Sequence, residues 1–241
     1  GEVVIAHFIP DVYVEIAGFL VSGLAILAAV VGIWRFWGGL QSTDVEWRAV
    51  QGKLADGPGS MALTAEAGAK GLETTFASTM VDIVKHTDFQ ACDTDRVRFW
   101  GHFALFFGTP FLLFAAGLGG IYSFLGDESH HGLTDPVKIT GNIGALLFLV
   151  GLGILFYNRF RAKRDLWGVA TYFDWLLLWM ITLNVLTGIA VQVARLSELG
   201  TLTYSLYMVH LVIVFATFLY APYGTVAHAF YRAAAMTYIR H

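Results

Sequence analysis

Charge is what this chain has least of. Only 14% of its 241 residues are charged, against about 25% in an ordinary soluble domain, while 56% are hydrophobic and 15% aromatic. Mean hydropathy is +0.63. That balance excludes a soluble globular domain; the net charge of -3 says little about partners, and no nucleic acid is expected among them. Cysteine is nearly missing too. A single one, Cys92, makes neither a disulfide nor a zinc site nor an iron–sulfur cluster within the chain, so electrons arriving through a cluster would have to come from another subunit. The first apolar segment has no basic residues before it and is too long for a cleavable secretory signal. What remains is a polytopic membrane protein.

Hydropathy places five spans, at about 12–37, 99–125, 139–157, 172–194 and 202–230. The expected fold is an all-α membrane protein, a five-helix bundle over residues 1–241. Trp34, Arg35 and Trp37 close the first span as interfacial anchors. Between the first two spans, Leu72, Phe76, Met80, Ile83 and Val84 recur at helical spacing opposite Glu73, Asp82 and Lys85. This predicts an amphipathic helix over about 71–86 that lies on the membrane, against a partner, or simply in solvent.

Charge placement orients the chain. Of the fifteen Lys and Arg residues, Lys138 and Arg195 fall on one side and the other thirteen on the opposite side. The positive-inside rule then puts the N-terminus outside and the C-terminus in the cytoplasm of a cell (inner) membrane.

Histidine carries the chemistry. The stretch 202–232, LTYSLYMVHLVIVFATFLYAPYGTVAHAFYR, holds His210 and His228, 18 residues apart. On one continuous helix that is five whole turns, so both rings leave the same face about 27 Å apart. Such a helix suits one haem toward each membrane surface. Ionisable side chains inside a bilayer default to function, because burying them unpartnered costs several kcal/mol. By depth, His102 in the second span matches His228, and the two form the expected axial pair of a low-spin haem b, with Gly101 and Gly108 letting the porphyrin approach the backbone. His210 is a candidate ligand of a second haem with no partner assigned. His86, with Lys85 and Arg98, is a candidate quinone or haem-propionate region; His7, His130 and His131 are the outside candidates to pair with His210 but read first as solvated loop residues, and His241 carries no signal.

These segments resemble the family of the respiratory nitrate reductase gamma subunit and its relatives. The resemblance is strongest to the membrane subunits of heterodisulfide reductase and of the quinone-interacting membrane-bound oxidoreductase. It rests on FIPDVYVEIAG, KHTDFQACDTDRVRFWGHFALFFG, DPVKITGNIGALLFLVGLGILFYNR and MVHLVIVFATFLYAPYGTVAHAFYR. It implies a haem b membrane subunit, with one or two haems, passing electrons between quinone and a cytoplasmic iron–sulfur subunit of heterodisulfide-reductase-like type. One departure stands out: in the nitrate branch a second histidine follows ten residues after the first, and here that position is Leu112. The alternative is a non-redox polytopic protein, a small transporter or assembly anchor, whose histidines pack or relay protons. A spectrum distinguishes the two.

Overall fold

In the computed structural model the described residues are 11–55, 72–85, 96–125, 132–161 and 172–240. They form seven α-helices and no strand: α1 (Asp11–Ala55), α2 (Leu72–Lys85), α3 (Arg96–Phe124), α4 (Pro136–Arg161), α5 (Tyr172–Leu196), α6 (Gly200–Tyr220) and α7 (His228–Arg240). Five of them, α1, α3, α4, α5 and α6, are long and apolar enough to cross a membrane. This is an all-helical chain of multi-pass character.

The spans pack as antiparallel neighbours. The closest pair is α3 with α4, followed by α5 with α6, and α4 joins the two through α5. A small apolar core lies at that junction, built on Phe148 and Leu152 of α4 and Leu178 and Val185 of α5, with Leu105 and Leu112 of α3 against it. Large side chains elsewhere, such as Phe19, Phe114 and Trp179, face outward, as expected of helices solvated by lipid rather than water. Polar side chains inside the spans return their protons to the helix: Thr109, Thr182 and Thr187 donate to the carbonyls four residues back. Between helices, Gln192 of α5 donates to Asn142 of α4 at 3.0 Å.

Glycine sets the α3–α4 distance. A Cβ at Gly101 would sit 2.7 Å from Ile154 Cγ2, one at Gly108 2.6 Å from the Phe148 ring, one at Gly144 2.8 Å from Leu112, and one at Gly151 2.9 Å from the Gly101 carbonyl oxygen. The glycines alternate across the seam, each receiving a large side chain of the other helix. Small residues that let backbones approach are the usual membrane interface. Gly101 and Gly108 therefore serve helix packing, and the expectation that they make room for a porphyrin is corrected.

Two further expectations change. The fifth span is not one helix to residue 230. It ends at Tyr220, passes through a turn over 221–224 and a 3₁₀ turn at Thr225–Ala227, and restarts as α7 at His228. Pro222 has no N–H to donate and its ring crowds the carbonyl four residues back. The next two amides, of Tyr223 and Gly224, both turn to the Tyr220 carbonyl at 3.0 Å. The amphipathic segment, second, is a helix, but its buried residues are Thr75 and Thr79 rather than the apolar stripe. It packs on α7, where Thr237 is likewise buried, while Phe76 and Val84 stay about half exposed. Helix α1, finally, runs on past the expected boundary at 37 to Ala55.

Candidate functional site

Two histidine sites emerge. The first joins α3 to α7. His102 stands six residues into α3, and His228 opens α7 directly after the 3₁₀ turn. Their ring centres are 6.4 Å apart with the planes inclined at 64°. Three features bring them together. The glycine seam fixes α3, the break at Pro222 redirects the chain, and aromatic contacts hold α7 along α1. In that last contact Phe36 meets Tyr231 at 5.1 Å and Trp37 meets Tyr238 at 5.2 Å. Gly32 gives the Tyr231 hydroxyl room, since a Cβ there would lie 2.6 Å from it. Around His102, Phe99, Trp100, Phe103 and Phe107 form a continuous ladder of ring contacts on α3.

The second site joins α5 to α6 in mid-span. His210 sits at the centre of α6, ten residues from either end. Its Nδ1 lies 2.9 Å from Thr187 Oγ1, and its ring rests on Gly188, where a Cβ would come within 3.2 Å of Cε1. One turn along, Asn184 Nδ2 donates to Thr217 Oγ1 at 2.6 Å, while Asn184 Oδ1 is buried without a hydrogen-bond partner among the described residues. Sequence reasoning leaves His210 without an intramembrane partner. The signal is there, since Asn184, Thr187 and Gly188 fall within two turns of one face of α5.

Because the helix breaks between them, His210 and His228 do not share a helix face, and the 18-residue spacing carries no argument. Lys85 ends α2. Arg98 lies on α3 and its side chain is outside the described residues, as are His86, His7, His130, His131 and His241. Among the described residues no group of three or more His, Cys, Asp or Glu side chains could hold a metal ion.

Together these features define a multi-pass helical membrane protein with histidines placed at one helix junction and at mid-span. The chain belongs to the citrate utilization protein B family, whose family model matches residues 9–241. Comparison with curated proteins and with solved structures returned no match. Membership overturns the resemblance to the nitrate reductase gamma subunit family. With it goes the function drawn from that resemblance, a haem b respiratory subunit carrying electrons between quinone and an iron–sulfur partner.

Proposed function

We propose that this chain is an integral-membrane component of citrate utilisation and that its working centre is the His102–His228 pair. The family match carries the first part. The second rests on the 6.4 Å between the two imidazole rings. Two imidazoles on opposite sides of one metal ion place their centres about 6.2 Å apart, taking a metal–nitrogen bond of about 2 Å and a ring radius of about 1.1 Å on each side. The pair is spaced to share a metal centre.

The chain's own part is to hold two rings from distant helices in register. His102 gains its position from the α3–α4 seam and His228 from the α1–α7 contacts, so neither depends on the other to stay in place. Both belong to the site equally. The test is metal analysis and absorption spectroscopy of the purified full chain, alongside citrate-dependent growth of cells carrying each variant. His102→Ala and His228→Ala are expected to remove the same metal component and to impair growth on citrate equally. A chain without bound metal, or a component lost in one variant and kept in the other, would overturn the site. Normal growth on citrate without the chain would overturn the physiological role.

A further inference from the structure

The mid-span site holds its histidine in one defined protonation pattern. A threonine hydroxyl has one proton to give and can accept two. Thr187 gives its proton to the Leu183 carbonyl at 2.6 Å, with the Asn184 carbonyl further off at 3.2 Å. Its oxygen is then left only to accept, and the group 2.9 Å away is His210 Nδ1. That contact requires the proton of the neutral ring to sit on Nδ1. Nε2 is then the atom with the lone pair. The tautomer of a histidine is set in this way by the bond its other nitrogen makes.

Position gives the tautomer a use. His210 lies about 15 Å from either end of α6, at 1.5 Å per residue, in the depth where an ionisable side chain is costly and rare. The cluster around it offers acceptors: Nε2, and one turn away Asn184 Oδ1, buried without a partner among the described residues. Gly188 seats the ring against α5, its Cε1 nearest the point where a Cβ would stand.

We infer that His210, locked by Thr187, is a mid-membrane proton acceptor that binds the O–H group of a neutral ligand at Nε2. Thr187 acts as a positioning residue, and the site is separate from the His102–His228 pair.

The experiment uses the full chain with ¹⁵N-labelled histidine in lipid bilayers, the His210 signals being identified by their loss in His210→Gln. In the wild type the unprotonated nitrogen is expected to be Nε2. Phenol, a neutral O–H donor, is expected to shift that resonance, and anisole, the same ring without the proton, to leave it alone. Thr187→Val and Thr187→Ala should each populate the other tautomer and weaken the phenol response severalfold, whereas Thr187→Ser should behave as the wild type. An unprotonated Nδ1 in the wild type, a tautomer unmoved by loss of the hydroxyl, or equal responses to phenol and anisole would overturn the inference. A helical, monodisperse Thr187→Ser protein fixes the reference if either larger change disturbs folding.

Discussion

Gly151 and Gly153 lie two residues apart on α4, and the structure assigns alanine opposite effects at the two positions. A Cβ at Gly151 would stand 2.7 Å from Leu105 Cγ and 2.9 Å from the Gly101 carbonyl oxygen; one at Gly153 would meet nothing within 4 Å. Leu105 can turn aside, but a backbone oxygen cannot, so Gly151→Ala must push α3 and α4 apart along their whole seam. Overpacking of this kind costs about 1–3 kcal/mol, offset by the roughly 1 kcal/mol that alanine gains over glycine in a helix. The net is a loss of about 0–2 kcal/mol. At about 2–4 °C per kcal/mol for a chain of this size, the midpoint falls by up to about 8 °C. Gly153→Ala keeps the helix gain without the clash and should raise the midpoint by up to about 4 °C. Thermal melts of both variants in the same detergent, followed by circular dichroism, measure the difference. A Gly151→Ala protein melting as high as Gly153→Ala would show that the glycine seam does not set the helix spacing.

The remaining expectations concern the other junctions. Thr217→Val removes the acceptor of Asn184 Nδ2, the interhelical bond that joins α5 to α6 there. It should lower stability by about 0.6–1.7 kcal/mol, the range for polar pairs in membranes, and a double-mutant cycle with Asn184→Leu should return that coupling. Pro222→Ala restores an N–H to the break and should raise helical content by about a turn in circular dichroism. It should also weaken metal retention at His102 and His228, whereas an unchanged spectrum and unchanged metal would place the cause of the break elsewhere. A reporter fused after Arg240 should read cytoplasmic and one inserted at 127–134 external, on the charge asymmetry; the reverse readings would invert the orientation.

What is legible in the sequence follows from the physics of each feature. Hydropathy is summed over some twenty residues, so five apolar helices survive any error at single positions. Helix ends depend on one or two residues and are less visible. Pro222 and Gly224 stand in plain view inside the last apolar run, yet the run's apolarity outweighs the proline and reads as one helix. The glycines are recognisable as places of close approach, but a sequence does not say what approaches; Ile154 and Phe148 do, where a porphyrin is expected. The amphipathic stripe of α2 is visible, and the side it buries is not. Thr75 and Thr79 carry no hydrophobic signal, while their small side chains suit close packing on α7. Family-level resemblance fails for a related reason. Apolar spans with aromatic ends and scattered histidines are common to many membrane proteins, and the segments match on features that the bilayer itself imposes.

The break after α6 explains why one final stretch of chain can serve two different sites. An unbroken helix from 200 to 232 would hold His210 and His228 about 27 Å apart on one line, with every neighbour of the first fixing the direction of the second. Ending the helix at Tyr220 separates the two tasks. Helix α6 keeps its alignment with α5, so that Thr187 and Gly188 meet His210. The turn then lets α7 leave that axis and lie against α1 and α2 instead. His228 is the first residue after the turn, the point where the new direction is set before the aromatic contacts of Tyr231 and Tyr238 take hold. A residue there can meet His102 of α3 although α3 and α6 are not principal packing partners. The apolar length of the last stretch places the chain in the membrane, and the proline within it determines which helices its two histidines can reach.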